Sequence, residues 1–254
     1  SKPSSRAYSE FLASRPKGAE NVAIAQLIEE ARRIKGRVHV LHLSSGDSLA
    51  LIRSAKSDGV RISAETCPHY LALTAEEIAD GATQYKCCPP IREKSNQDEL
   101  WAGLKSGVID LIVSDHSPCT EDLKIFDIGD FQGAWGGISS LQLGISIIWT
   151  QAQRHGVSLW QVTKWMSQKP AELAGLARKG AIKVGMDADF AEFDTGAKFT
   201  VEPTELFHKN QITPYQGKTL QGRIKQTWLR GELIYKDGSM INSPHGEFLI
   251  RGKN

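Results

Sequence analysis

Arg37-Val-His-Val-Leu-His-Leu-Ser44 is a short run rich in apolar and β-branched residues, and it predicts a buried strand. A helix is predicted soon after it, over residues 48–56, because apolar residues recur there on one helical face. Residues 60–67 predict a second strand. A strand, a helix and a second strand in this order form a βα unit, which indicates a parallel sheet.

The alternation of strands and helices continues along the chain and then stops. Two further strands are predicted over residues 85–91 and 108–114, and helices over 138–152, 159–166 and 170–176. After Gly180 the pattern changes to strands, over residues 189–193 and 225–235, with Arg230-Gly231-Glu232 as a turn or bulge. We therefore expect an α/β part over residues 1–180 and a β-rich segment over residues 181–254.

Composition and charge exclude several classes of protein. The 254 residues carry 31 basic and 29 acidic side chains, a formal net charge of +2, so a dominant nucleic-acid surface is not expected. No apolar run approaches the roughly 18 residues that a membrane span needs. The spacing of the four cysteines fits neither a disulfide scaffold nor a zinc ribbon, so we expect reduced thiols in an intracellular protein.

Candidate metal ligands follow three of the predicted strands. His42 ends the first strand, His69 follows the second and Asp115 follows the fourth. Because the active site of parallel βα proteins lies at the carboxyl ends of the strands, these side chains are expected to converge. Two imidazoles and a carboxylate suit a zinc-like divalent ion.

The other histidines leave alternatives open. His39 and His42 are three positions apart, so in an extended strand they face opposite sides, and the pattern does not say which faces the site. His116, next to Asp115, raises the same question. Three further histidines have no partner in the sequence and are expected to be structural: His155, His208 and His245.

Four motifs together carry a resemblance to a known family. They are Val38-His-Val-Leu-His-Leu-Ser-Ser45, Glu65-Thr-Cys-Pro-His-Tyr-Leu71, Lys86-Cys-Cys-Pro-Pro-Ile-Arg92 and Val113-Ser-Asp-His-Ser-Pro-Cys119. As a set they resemble the cyclic amidohydrolases, which include allantoinases, dihydropyrimidinases (hydantoinases) and dihydroorotases. The third and fourth motifs, with Ala134-Trp-Gly-Gly-Ile138, are most similar to the allantoinases.

The resemblance implies a fold and a set of site residues. The family fold is a (β/α)₈ TIM barrel joined to a small β-sandwich, so residues 1–180 would supply about strands five to eight and residues 181–254 a sandwich segment. By resemblance, His42 and His69 bind one ion of a two-metal centre, while Asp115 binds the other and acts as the catalytic base. The implied substrate-binding positions are Cys88, Ser117 and Gly136.

The resemblance also implies a reaction and a cofactor. The reaction would be hydrolysis of allantoin to allantoate in purine catabolism, by water activated between two divalent ions. The ions would be zinc, with cobalt, iron or manganese as alternatives. Family members are commonly homotetramers, and whether the compartment is the cytoplasm or an organelle stays open.

The chain departs from the family in what it lacks. The family's His-x-His motif on strand one and its bridging carboxylated lysine on strand four do not occur here, so we expect a C-terminal fragment that binds metal weakly and does not turn over allantoin alone. A dihydropyrimidinase or a dihydroorotase is the nearest alternative. A metal-free, dihydropyrimidinase-like scaffold protein and a truncated inactive product are the others, although the retained His42, His69 and Asp115 favour an enzyme.

Overall fold

A computed structural model describes residues 5–250, and these divide into two compact units. Within the described range, the first unit comprises residues 5–144 and 206–216, and the second comprises residues 145–205 and 217–250. The predicted boundary at residue 180 does not coincide with the boundary between these units. Residue 180 lies inside the second unit, between a helix and a strand.

The first unit contains a parallel sheet of three strands in the order β1-β2-β3. The strands are β1 (Arg37–Val40), β2 (Arg61–Thr66) and β3 (Leu111–Ile112). Val38 lies opposite Ile62, and Glu65 lies opposite Leu111. The parallel sheet predicted from the βα alternation is therefore confirmed, although β3 is much shorter than the predicted strand over residues 108–114.

Five helices of the first unit lie within the described residues. They are α1 (Tyr8–Ala13), α2 (Lys17–Ile34), α3 (Leu49–Ser57), α4 (Pro68–Ala72) and α5 (Lys94–Lys105). Helix α2 buries Ile24, Ile28 and Ala31, which recur at the spacing of one helical face. It ends where Lys35 takes a left-handed backbone conformation (φ 52°).

The strand predicted over residues 85–91 is wrong. Residues Thr83–Tyr85 form a single 3₁₀ turn, and the segment that follows joins no sheet among residues 5–250. Pro89 and Pro90 have no amide hydrogen to donate to a neighbouring strand, and the Cys88–Pro89 peptide bond is cis. The sheet of the first unit therefore has three strands among the described residues, whereas four were expected. Strand β3 pairs directly with β2.

The second unit packs helices against an antiparallel sheet. It holds most of α6 (Gly144–Arg154), then α7 (Leu159–Thr163) and α8 (Lys169–Ala174), with a π-helical turn over Lys164–Gln168. The strands are β4 (Phe190–Thr200), β5 (Thr219–Leu229), β6 (Glu232–Lys236) and β7 (Ser239–Met240), in that order. The indole of Trp149 in α6 donates a hydrogen bond to the Thr195 carbonyl in β4 (3.1 Å), which helps to explain why helix and sheet form one unit.

The predicted turn at Arg230-Gly231 is confirmed. These two residues connect β5 to β6, whose ends pair as Leu229 with Glu232. Both have positive φ, 50° and 86°, as a two-residue hairpin loop requires. Among the described residues, no helix combines the length and the apolar character that crossing a membrane requires.

Candidate metal centre

Three potential ligands converge beyond the carboxyl ends of β2 and β3. Cys67 directly follows β2, His69 lies two residues further, in α4, and Asp115 comes three residues after β3. Their sulphur, nitrogen and oxygen atoms all lie within 4.8 Å of one another. The convergence of His69 and Asp115 agrees with the expectation from the sequence, whereas Cys67 was not expected there.

His69 is the most unusual of the three. Its side chain is fully buried, yet in the described part of the chain neither ring nitrogen has a hydrogen-bond partner. Buried polar groups are nearly always paired, so two orphaned nitrogens in one ring call for a partner, and the His208 ring shares this feature among the described residues. Burial, with a smaller effect of neighbouring His42, lowers the pKa of His69 to about 3. The imidazole is therefore neutral, which is the form that binds metal.

His42 lies close enough to this cluster to act on its charges. It is two residues past the end of β1, and its Nδ1 atom is also buried without a partner among the described residues. The pKa of Asp115 is raised by burial, and the proximity of His42 partly opposes that rise. His42 is nevertheless outside the set of mutually close ligand atoms formed by Cys67, His69 and Asp115.

Two of the candidate residues have strained backbones. His42 has φ 35° and Asp115 has φ 42°, values that L-residues other than glycine seldom adopt. Such conformations cost of order 1–3 kcal/mol each and tend to occur at functional sites. Both residues lie just beyond strand ends, as Cys67 and His69 do.

A buried polar network fixes the loop that follows His42. The Glu20 carboxylate in α2 accepts hydrogen bonds from the amides of Ser44 and Ser45, at 2.8 and 3.1 Å. Arg92 donates to the Ser44 hydroxyl (3.1 Å) and pairs with Glu20 (3.5 Å). Asn96 donates to the Ser44 carbonyl (2.8 Å). The loop is thus held by side chains from α2, from α5 and from the segment between α4 and α5.

His39, rather than His42, has both ring nitrogens engaged outside the cluster of Cys67, His69 and Asp115. The two ring nitrogens of His39 are engaged by Ser63 Oγ (2.7 Å) and Glu65 Oε2 (2.9 Å) of β2. Because both of its nitrogens are occupied, His39 is not available as a ligand in this conformation. His42 is therefore the candidate of the pair.

His116 has a structural role. Its Nδ1 atom accepts hydrogen bonds from the amides of Ser140 and Leu141, at 3.1 and 3.2 Å. The His208 ring packs against it, with ring centroids 4.6 Å apart. His245 Nδ1 lies 3.1 Å from the Ser243 carbonyl.

The expected substrate-binding positions are Ser117, Cys88 and Gly136, and the structure places each of them in a loop. The Ser117 hydroxyl donates to the Asp115 carbonyl (2.9 Å), which joins it to the candidate base. A Cβ atom on Gly136 would lie 3.5 Å from the sulphur of Cys88, an exposed thiol. A Cβ atom on Gly137 would lie only 2.6 Å from the Ser117 carbonyl, so glycine is required for this close approach.

Two buried lysines hold the loop that carries Gly136. The Lys86 ammonium donates to the Ala134 carbonyl (2.6 Å), and the Lys124 ammonium donates to those of Trp135 (3.0 Å) and Gly137 (2.7 Å). Both lysines are 5% exposed or less, and burial lowers the pKa of each. Sequence reasoning missed these residues because their partners are backbone carbonyls, which leave no motif.

Comparison with known proteins gives the context of this site. The sequence profile described as the amidohydrolase family matches residues 9–234. The chain belongs to the amidohydrolase family. Among relatives of this amidohydrolase chain, an allantoinase of Streptomyces avermitilis is 57% identical over 244 residues, which are 96% of this chain and 54% of that protein. An allantoinase of Saccharomyces cerevisiae is 42% identical over 97% of this chain and 54% of that protein.

Solved hydantoinase structures are similar in fold to this amidohydrolase. The L-hydantoinase (dihydropyrimidinase) of Arthrobacter aurescens superposes with a TM-score of 0.87 at 28% identity, over 93% of this chain and 53% of that one. The described α/β region thus matches part of a TIM barrel. The chain spans about half the length of these relatives. Members of the family are generally metal-dependent, and the orphaned nitrogens of His69 beside a thiol and a carboxylate fit a metal ion.

Proposed function

We propose that this chain is the C-terminal, ligand-bearing half of an allantoinase, which hydrolyses allantoin to allantoate. The observation that carries the proposal is the buried, unpartnered His69 beside Asp115 at the strand ends, in a chain 57% identical to a protein named allantoinase.

His42 and His69 would hold one divalent ion, and Asp115 would hold the other. Zinc suits imidazole and carboxylate ligands best, and cobalt, iron or manganese also fit. When bound, the ions would polarise the amide carbonyl and increase the acidity of water.

Asp115 is the proposed general base. It is half-buried, and burial raises the pKa of its carboxyl group, which strengthens it as a proton acceptor. The carboxylate would take a proton from water and pass it to the ring nitrogen that leaves as the cyclic amide opens. Ser117, Cys88 and Gly136 would orient the small-molecule substrate, the last two through backbone groups.

The rest of the centre is proposed to come from the other half of a complete barrel. Residues 1–180, whose described part holds three parallel strands, would supply the last strands of that barrel, and residues 181–254 a segment of the β-sandwich. The His-x-His motif and the bridging carboxylated lysine would lie on the remaining strands. The whole protein is proposed to be an intracellular homotetramer, and the free state of all four cysteines supports a reducing compartment.

The test compares three substrates on two proteins. The isolated chain, and the chain extended by the first half of the Streptomyces avermitilis allantoinase barrel, are assayed with allantoin, dihydrouracil and dihydroorotate. We expect the extended protein to turn over allantoin fastest and the isolated chain to turn over none. The same extended protein with His69→Gln is the matched inactive control.

Other outcomes of this assay identify the alternatives. Preference for dihydrouracil would indicate a dihydropyrimidinase. Such an activity would agree with the similarity of the fold to a hydantoinase structure. Preference for dihydroorotate would indicate a dihydroorotase. Absence of all three activities in a folded, metal-loaded extended protein would favour a scaffold role and overturn the proposal.

A further inference from the structure

Glu65 lies on the same face of β2 as the end of the strand that reaches the candidate metal centre. Residues at alternate positions of a strand share a face, and Cys67 directly follows β2 with an extended backbone, so Glu65 and Cys67 point to the same side. The sulphur of Cys67 lies within 4.8 Å of the candidate ligand atoms of His69 and Asp115. Glu65 is 7% exposed, so this face carries a buried carboxylate that the proposed reaction does not use.

Side chains of two strands hold the Glu65 carboxylate in place. His39 of β1 contacts Glu65 Oε2 through its Nε2 atom (2.9 Å), while its Nδ1 atom contacts the Ser63 hydroxyl (2.7 Å). The main-chain carbonyl of Glu65 also accepts a hydrogen bond from the amide of Leu43 (2.8 Å), the residue after His42. Glu65 is thereby tied to the neighbouring strand and to the loop that carries a candidate ligand.

The Glu65 carboxylate has no permanent cation beside it in the metal-free chain. Among residues 5–250, its one ion-pair partner is the imidazole of His39, which is charged only when protonated. A carboxylate buried without a permanent cation reduces the stability of the folded state. Burial raises the pKa of Asp115 and Glu65 raises it further, so the two groups interact through the protein interior. A second negative charge is thus buried close to the place where a cationic centre is proposed.

We propose that Glu65 supplies a buried negative charge that strengthens the binding of the divalent ions without itself being a ligand, and that His39 and Ser63 position it for this role. The inference rests on the metal centre of the proposed function and adds a group outside its ligands. A charge in the poorly solvated interior acts over several ångströms, because it is weakly screened there. Removal of this charge should weaken metal binding even though no bond to a metal is lost.

The test separates the charge of Glu65 from its shape. The full chain, and the chain extended by the first half of the Streptomyces avermitilis allantoinase barrel, are titrated with Co²⁺ in the unaltered form, as Glu65→Gln and as Glu65→Asp. Isothermal titration calorimetry at about pH 8, where histidine is ordinarily neutral, gives the dissociation constants. We expect Glu65→Gln to weaken cobalt binding by at least about tenfold, as the loss of groups outside the ligands commonly does. Glu65→Asp keeps the charge and should retain most of the affinity.

The stability of the metal-free protein distinguishes this role from a structural one. Glutamine keeps the shape of glutamate, and its amide can still bond to His39, so Glu65→Gln should leave the free energy of unfolding unchanged or increase it. A residue needed only for packing or strand pairing would reduce stability and metal affinity together. Urea denaturation with a chelator present measures the stability of each variant.

Asp110→Asn is the matched control. The Asp110 carboxylate is partly buried, pairs with Lys56 (2.7 Å) and accepts a hydrogen bond from the Ala64 amide (2.8 Å). Asp110 directly precedes β3, at the opposite end of the strand from Asp115. Asp110→Asn should therefore reduce the stability of the metal-free chain and leave cobalt binding nearly unchanged.

The outcomes separate this inference from the proposed function. Unchanged cobalt affinity in Glu65→Gln, equal losses in Glu65→Gln and Glu65→Asp, or a loss of affinity that accompanies a loss of metal-free stability would overturn the role of Glu65 and leave the hydrolase proposal intact. Weaker binding in Glu65→Gln alone, in an extended protein that hydrolyses no cyclic amide, would support the charge effect and overturn the reaction. Failure of both the chain and its extended form to bind cobalt would overturn both.

Discussion

At the residue scale, the candidate ligands combine chemical function with unfavourable local structure. His42 and Asp115 adopt left-handed backbones, and His69 is buried with two unpaired nitrogens. Each feature reduces the stability of the folded chain and places a reactive group at the strand ends. In the metal-free chain, these residues should therefore measurably lower the free energy of unfolding.

Substitution of Asp115 should reveal the backbone penalty. We expect Asp115→Gly to be more stable than Asp115→Ala by about 1 kcal/mol, because glycine adopts positive φ without a steric clash. Urea denaturation of the metal-free proteins measures the difference. Asp98, exposed in the interior of α5, is the matched control, and there the order should reverse, with alanine the more stable. The same order at both positions would contradict the positive φ of Asp115.

The buried His69 should make stability depend on pH. Its folded-state pKa is about 3 against an ordinary value of 6.5, so between these values the unfolded state binds more protons. The free energy of unfolding of the metal-free chain should therefore fall as pH decreases from about 6.5 towards 3. His69→Gln should flatten this dependence in denaturation measured with a chelator present. An unchanged slope in that variant would show that His69 is not buried as a neutral side chain.

At the element scale, side chains distant in sequence hold the loops of the site. Glu20 and Arg92 fix the loop after β1, while Lys86 and Lys124 fix the loop around Gly136. Both loops are irregular, so they depend on side-chain donors and acceptors rather than on sheet or helix hydrogen bonds. Loss of these contacts should loosen the loops selectively.

Removal of Arg92 should destabilise the chain strongly. Its side chain is 4% exposed and its partner Glu20 13%, so Arg92→Met leaves a carboxylate buried with its charge uncompensated. We expect a loss of about 3 kcal/mol in the free energy of unfolding. Arg33→Met, which removes an exposed ion pair with Glu30, should cost less than about 1 kcal/mol. Equal effects of the two substitutions would show that the Glu20–Arg92 pair is solvated.

Removal of the Lys124 ammonium should loosen the Gly136 loop. In Lys124→Met the carbonyls of Trp135 and Gly137 lose their donor. Hydrogen exchange measured by mass spectrometry should show faster exchange in peptides covering residues 132–137, with little change in α2. Lys105→Met, an exposed lysine of α5, is the control and should leave this loop protected. Unchanged exchange in the Lys124 variant would mean that other contacts hold the loop.

Local patterns predicted the elements that depend on local chemistry. The apolar period of α3 and the Arg230-Gly231 turn could be recognised because their geometry follows from neighbouring residues. The strand expected at residues 85–91 failed because an apolar, proline-terminated run does not reveal whether a sheet partner exists. His69 and Asp115 were nominated because they follow strands. Cys67 also follows a strand directly, but it was missed because the cysteines were judged only by their spacing, as disulfide or zinc-ribbon candidates.

At the scale of the whole molecule, the parallel sheet is open. Among residues 5–250, β1 and β3 pair with β2 alone, so one edge of each lacks a strand in this sheet. The relatives are about twice as long as this chain, and in the proposed barrel further strands would cover these edges. The isolated chain should therefore lack rigid support for its candidate ligands.

This predicts weak metal binding by the chain alone. After loading with zinc and dialysis against metal-free buffer, we expect the isolated chain to retain much less than one zinc per molecule. The chain extended by the first half of an allantoinase barrel should retain about two, the number proposed for the complete centre. Elemental analysis of both proteins measures the ratio. Tight, stoichiometric zinc with allantoin turnover in the isolated chain would contradict the expectation.

The left-handed backbones of His42 and Asp115 have a consequence for evolution. Glycine adopts these backbones without a steric clash, so selection for folding alone would favour glycine at both positions, and selection for chemistry would offset the cost of histidine and aspartate. A lineage that abandoned hydrolysis would gain stability by replacing them. We therefore expect these two positions to be among the first to change in descendants that keep the fold and lose the reaction.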